Sequence, residues 1–406
     1  MAYIIVVNPA ILEAAGIPKG PSTTATILSA AFGTVVMALY AKRPFAIAPY
    51  MGENAFIAFT VVKSMGYSWQ AALGAVFIAG ALFTVLTVLK IRSWLAEALP
   101  LNLKLSFAVG IGLFLTFIGL NETGIVRLGV PGAPVCLGNM TDAAPLLAVF
   151  CFFAIVLLSI RRVPGSIVIG MLATTFLSFL FKAAPAPERW VGLPPDLSPI
   201  LLRIDLRAAL SPGFFPIVLT IFVMAFVDTV GTLIGLSARA GLLDAKGNLP
   251  DIEKPMLADA LATTVAPLLG TTTTGAYIES AAGIEEGGRT GFTSLVVAAL
   301  FLLSMFLAPM FTAVPPEAYG AVLVVIGSYM IAPVARIDFK DPTELIPCFL
   351  TIALISFSYN IGVGMTAGII SYPLLKVLSG RWREVPRGLW ILALLSLSFY
   401  VYYPYR

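Results

Sequence analysis

The feature that most constrains this chain is a near-unbroken succession of apolar runs, most of them about as long as a bilayer crossing. They cover Thr23–Tyr40, Phe45–Val62, Trp69–Leu89, Leu101–Leu120, Ala144–Ile160, Ser166–Phe181 and Gly213–Leu236. They go on through Met256–Leu269, Thr274–Gly283, Phe292–Val314, Tyr319–Val334, Leu345–Ser358, Ile361–Val377 and Leu389–Tyr403. A helix needs about 20 mostly apolar residues to cross a bilayer. Composition agrees: 59% of the 406 residues are hydrophobic and 11% charged, against roughly 45–50% and 25% in soluble domains. The pattern predicts one all-α polytopic membrane domain of about fourteen transmembrane helices surrounded by lipid. The last run, Leu389–Tyr403, follows the final basic cluster and is the weakest of the set.

One segment does not fit. Ala2–Leu12 is apolar but only about half the length of a crossing. It lacks the basic flank and small-residue cleavage site of a signal peptide. It reads as the remainder of a longer first helix rather than a re-entrant segment.

Basic residues fall on alternate loops. Lys42 and Arg43, Lys90 and Arg92, Arg161 and Arg162, Arg239 with Lys246 and Lys254, Arg289, Arg336 with Lys340, and Lys376 with Arg381 and Arg383 mark one side. Loops on the cytoplasmic side are enriched in Lys and Arg, so the expected topology is a multi-pass plasma or inner membrane protein with a cytoplasmic N-terminus. A net charge of +4 spread in this way gives no nucleic-acid face. Cys136, Cys151 and Cys348 have no metal-ligand or redox spacing, and histidine is absent. No metal or cofactor is expected, and proton chemistry falls to carboxyl groups.

Two runs are interrupted. The first carries Pro49-Tyr50-Met51-Gly52-Glu53-Asn54-Ala55, and the second Thr271-Thr272-Thr273-Thr274-Gly275-Ala276-Tyr277-Ile278-Glu279-Ser280. Each lies about two spans into its half of the chain. A second pair, Leu99-Pro100-Leu101 and Val314-Pro315-Pro316, opens spans at a similar offset. Matching breaks in two halves are the mark of inverted repeats with a site at the midplane, and irregular backbone at that depth is tolerated only where it lines a cavity or is buried in protein. The expected division is 1–200 and 201–406.

Carboxylates inside spans cost about 2.5–3.5 kcal/mol on insertion scales, so each needs a reason. Asp228 lies mid-run in Ala225-Phe226-Val227-Asp228-Thr229-Val230-Gly231-Thr232. Glu279 and Ser280 follow the second break, and Glu53 adjoins Asn54 at the first. Beside helix ends that offer free N–H donors, these groups suit a small, neutral, planar ligand with donors and acceptors. Phe226 or Phe56 would stack on its face. Burial disfavours the charged form of a carboxyl group, so Glu279, Asp228 and Glu53 are also the candidates to carry a coupling proton. Glu285 and Glu286, next to Gly287-Gly288-Arg289, read as rim residues.

Several stretches together resemble a known family. They are Met1-Ala2-Tyr3-Ile4-Ile5-Val6-Val7-Asn8-Pro9, Met51-Gly52-Glu53-Asn54-Ala55-Phe56, Phe226-Val227-Asp228-Thr229-Val230-Gly231-Thr232-Leu233, and Tyr277-Ile278-Glu279-Ser280-Ala281-Ala282-Gly283 through Gly288-Arg289-Thr290-Gly291. They are similar to the adenine/guanine/hypoxanthine permease (AzgA-like) branch of the nucleobase–cation symporters, the nucleobase–ascorbate transporter family. The resemblance implies two inverted repeats of seven helices, a core and a gate domain, and short strands before two half-helices. It also implies that Asn54, Asp228 and Glu279 contact a purine base, and that the carboxylates are linked to proton symport. One departure is Glu53, where the family pattern Gly-Met-Gly-Leu-Asn has no carboxylate.

The resulting expectation is a proton-coupled importer of purine nucleobases working by alternating access. On the residues alone, the same fold carrying uracil, xanthine or urate, and a passive channel, stay open, as does a homodimer. An enzyme is not expected, since no nucleophile–base or metal constellation is present.

Overall fold

The computed structural model describes residues 1–89, 99–130, 133–242 and 249–402. Lys90, Arg92 and Lys246, and the side chains of Arg239 and Glu285, lie outside that description, as does Tyr403 in the last apolar run.

The first half comprises α1 (Ile4–Glu13), α2 (Lys19–Val36), β1 (Ile47–Pro49), α3 (Met51–Ala55), α4 (Trp69–Val88), α5 (Leu101–Glu122), α6 (Ala143–Ile160) and α7 (Ser166–Leu180). A hairpin of β2 (Val126–Val130) and β3 (Ala133–Leu137) joins α5 to α6. The second half comprises α8 (Phe215–Arg239), α9 (Glu253–Leu269), β4 (Thr274–Ala276), α10 (Ser280–Glu285), α11 (Gly291–Ser304), α12 (Pro316–Met330), α13 (Pro342–Phe357) and α14 (Ile361–Leu378). A last helix, α15 (Arg387–Tyr402), follows. Eight of the described helical segments are long and apolar enough to cross a membrane. Wider π-turns extend α2 through Met37–Ala41 and α3 through Phe56–Ser64.

Packing repeats with an offset of seven helices. The pair α4–α9 corresponds to α11–α2, α6–α7 to α13–α14, and α6–α12 to α13–α5. Seven is odd, so corresponding helices cross the bilayer in opposite senses, as an inverted repeat requires. The short segment Ala2–Leu12 therefore takes its place as α1, the first member of the paired set, which closes at α14. The run from Leu389 onward lies outside the pairing. As α15 it packs antiparallel to α14, where Tyr400 donates to the Val363 carbonyl at 3.1 Å, and it also lies against α8.

The helices form two groups. One, the core, holds α1–α4 and α8–α11; the other, the gate, holds α5–α7 and α12–α14. At the centre of the core, β1 and β4 pair antiparallel with Ile47 opposite Ala276, Ala48 opposite Gly275 and Pro49 opposite Thr274. This pairing explains why both runs can break at membrane depth: each strand satisfies backbone groups that lipid could not. Gly275 is required there, because a side chain would run into the Tyr50 ring. In the gate, α5 and α12 cross through small residues. A methyl group on Gly320 would lie 3.0 Å from the Gly119 carbonyl oxygen, and one on Gly112 would lie 2.9 Å from that of Gly327. Such close backbone approach is the usual basis of helix association in lipid.

The gate is tied at one end by an ionic network. The Lys376 ammonium, 1% exposed, sits 2.8 Å from Glu344, 3.0 Å from Glu384 and 3.6 Å from Asp341. Arg381 lies 2.6 Å from Asp341 and 2.7 Å from Glu384. Glu344 also accepts from Tyr372 and Asn102, joining α13, α14 and α5. Removing one partner of a buried pair leaves the others uncompensated. Lys376→Met is therefore expected to lower the melting temperature of the detergent-solubilised protein by several degrees, and an unchanged midpoint would show that the network adds no stability. Hydrogen bonds from Arg381 and then Lys376 hold the Glu384 carboxyl down to about 2 from its ordinary 4.5. A depressed carboxyl contributes stability that is complete above 4.5 and fades as pH falls toward 2. In an acid titration of thermal stability, Arg381→Met should shift that decline to higher pH.

Candidate functional site

The two breaks converge on a cavity of about 270 Å³ between core and gate. Its core wall carries Tyr3 from just before α1, Tyr50 and Met51–Glu53 around the start of α3, and Asp228 with Thr232 from α8. Ala276 through Glu279, between β4 and α10, complete that wall. Its gate wall is Ile111 and Leu115 of α5, Ile167 of α7, and Ile326, Tyr329 and Met330 of α12. One wall is therefore polar and aromatic, and the other almost entirely apolar. Asp228 and Thr232 share a face because they are one helical turn apart.

Three carboxyl groups face this space: Glu53, Asp228 and Glu279. Glu53 is fully buried, and no hydroxyl or amide side chain donates to its carboxyl oxygens. The charged group that bears on it most is Asp228. Glu279 accepts from the Tyr3 hydroxyl. No Lys or Arg lines the cavity among the described residues. Tyr50 and Tyr277 stand nearly parallel, with ring centroids 6.1 Å apart and an angle of 12° between planes. A larger cleft of about 700 Å³ is lined by Lys19, residues 183–189 and Glu317, but there the buried Glu317 is already satisfied by Ser178 at 2.8 Å.

Four residues expected at the site are placed elsewhere. Asn54 is fully buried and donates to the Asn8 side-chain oxygen, behind the cavity wall. One residue turns a helix by about 100°, so with Glu53 facing the cavity its neighbour faces α1. Phe226 packs into an aromatic cluster with Phe222 and Phe83, against α4. Phe56 is wholly enclosed in the core. Ser280 accepts from the Ala46 amide at 3.0 Å, tying α10 to the residue before β1. The aromatic walls are tyrosines instead. Of the expected rim residues, Glu286 is exposed.

A further buried carboxylate, Asp259 on α9, organises the wall from behind. It accepts from the Thr229 hydroxyl and, at 2.7 Å, from the Ala276 amide, so it fixes β4 to α8 next to Asp228. It lies inside the Met256–Leu269 run and was not singled out from the sequence. Tyr3 and Asn8 were equally hidden, in a segment too short to read as a span.

Comparison with known proteins follows the same architecture. A family model described as a permease family, Xan_ur_permease, matches residues 1–371. The chain belongs to this family. The match ends inside α14, so α15 lies beyond it. The permease is 36% identical over 397 residues to the adenine permease AdeP of Escherichia coli, covering 98% of this chain and 89% of AdeP. It is 39% identical over 392 residues to the guanine/hypoxanthine permease PbuO of Bacillus subtilis, covering 95% and 90%. Among solved structures, the transmembrane domain of a cyanobacterial bicarbonate transporter, BicA, matches with a TM-score of 0.66 over 90% of this chain and 94% of that one. At 15% identity that likeness shows a shared inverted-repeat fold and nothing of the substrate. The permease is thus a multi-pass membrane transporter rather than an enzyme.

Asp259→Leu leaves the Ala276 amide buried without this acceptor, which costs about 1–3 kcal/mol. Asp259→Asn, which keeps one acceptor oxygen, should lose less. The comparison is made by thermal denaturation in detergent, and equal losses would show that Asp259 is not organising β4.

Proposed function

We propose that the permease carries purine nucleobases across the plasma or inner membrane by proton symport. The observation that carries this reading is Glu53: a wholly buried carboxyl group to which no hydroxyl or amide side chain donates, facing a cavity with Asp228 and Glu279. A buried acceptor without a donor is costly, and N–H groups on the edge of a bound base would supply donors. The volume, about 270 Å³, falls just under the range of about 300–1,000 Å³ typical of drug-sized ligands, which suits one small bicyclic ring system. Tyr50 and Tyr277 offer aromatic surface to its face, and the apolar gate wall excludes water on the other side. The names of the relatives AdeP and PbuO point to the same class of ligand.

Charge favours a neutral ligand. An anion would meet three carboxyl groups and no cationic side chain among the described lining residues. A neutral base brings no charge to offset those carboxyl groups, so a proton taken up with it serves that role, and Glu53 and Asp228 are placed to share one. Of the lining residues, Ile278 and Tyr329 are about half exposed, and Tyr329 lies at the end of α12 that Arg336 follows. Lys and Arg mark the cytoplasmic side, so we read the conformation as inward-facing, with the chain starting from that side. Alternating access would carry the site on the core past the apolar wall of the gate.

The test is uptake of radiolabelled adenine, guanine, hypoxanthine and uracil by cells expressing the protein, with and without a protonophore. Purine uptake that collapses with the proton gradient is expected. Glu279→Ala should abolish it, and Glu53→Gln should reduce accumulation at least tenfold with the protein still in the membrane. Uptake indifferent to the protonophore would remove proton symport, and uptake of uracil alone would remove the purine assignment.

A further inference from the structure

A second polar cluster lies inside the core, away from the cavity. Asn8 of α1 donates to Thr26 of α2 at 2.7 Å and to Thr271 at 3.0 Å, and it accepts from Asn54 of α3. The β1–β4 ladder continues to Thr273, whose carbonyl accepts from the Tyr50 amide at 3.0 Å. Thr273 lies two residues beyond Thr271 on that segment. Ser22 lies one turn before Thr26 on the same face of α2. These six residues are all fully buried, yet the Asn54 side-chain oxygen and the hydroxyls of Thr273 and Ser22 have no hydrogen-bond partner. Unpartnered buried oxygens mark the place of an ordered water or an ion.

We propose that this cluster binds one sodium ion. All six side chains are uncharged and carry an oxygen, and three of those oxygens are without a hydrogen bond, which suits a hard cation. With no carboxylate among them, the charge they can stabilise is small, which favours a monovalent ion over a divalent one. The cluster also sits where unwound chain meets a broken helix, the setting in which transporters coordinate coupling ions. A cation there would tie α1, α2 and α3 to the segment entering β4, and so fix the geometry of both breaks. The inference does not rest on the ligand assigned to the cavity.

The experiment uses the purified full chain in detergent at constant ionic strength, with sodium, potassium or choline chloride. A saturable rise in melting temperature with sodium is expected, as ligand binding to the native state requires, together with binding of about one radioactive sodium ion per chain. Thr273→Val and Ser22→Ala keep the shape of the site and should each weaken the sodium response at least tenfold in apparent affinity. Identical stability in all three salts with no sodium bound would mean that the oxygens hold water, and would overturn the proposal. So would a sodium response that survives both substitutions.

Discussion

The fold depends on the hydrogen bonding of two short strands. A chain in lipid can leave the helix only where its backbone groups find partners within the protein, and here β1 and β4 find them in each other. Much of the polar wall of the cavity follows from that pairing. It brings Glu53 and Glu279 from opposite halves of the sequence to one wall, and it sets Tyr50 beside Tyr277. It also depends on a second layer: Asp259 takes the Ala276 amide, Thr34 exchanges hydrogen bonds with both backbone groups of Ile47, and Ser280 takes the Ala46 amide. A hydroxyl or carboxylate in the helices around the crossing thus replaces partners that a continuous helix would have supplied.

The two walls of the cavity differ in kind. The core wall concentrates carboxyl groups and tyrosines, whereas the gate wall is four aliphatic residues with Tyr329 and Met330. The gate has its own means of holding together: glycine-lined contact between α5 and α12, and the ionic network around Lys376. Among the described residues, core and gate meet through few directional bonds. One is the Thr60 hydroxyl to the Tyr359 carbonyl at 3.1 Å, beside the edge of the Phe59 ring. Specific polar contacts within each body and sparse ones between them suit two bodies that slide.

Much of this was legible in the residues, for physical reasons that also mark the limits. Helices in lipid need long apolar runs, so most could be placed, although the fourteen runs included Leu389–Tyr403 and set apart Ala2–Leu12, which forms α1 of the paired set. Breaks need Gly, Pro and Thr, so both were visible, and a carboxylate in the middle of a span is costly enough to single out Asp228 and Glu279. Rotation about a helix axis was not legible. Glu53 and Asn54 are adjacent, yet one faces the cavity and the other α1. Phe226 lies two residues from Asp228, about 200° around the helix, and so packs against α4 instead. Residues that act from behind the wall, such as Asp259, make no local pattern, because their partners come from other parts of the chain.

The break pair belongs wholly to the core, and this has a mechanical consequence for the proposed cycle. In that cycle both half-helices, both strands and the cavity carboxyl groups would move as one body, since Asp259, Ser280 and Thr34 tie the strands and half-helices to the same helices. A site held in this way cannot open by unwinding one strand without leaving amides unpaired in a low-dielectric interior, at about 1–3 kcal/mol each. Displacing the core against a largely apolar gate wall leaves those amide bonds intact. In the proposed cycle the cheaper motion would therefore be translation of an intact site past an apolar wall, and a proton on one of the carboxyl groups would lower the cost of that passage.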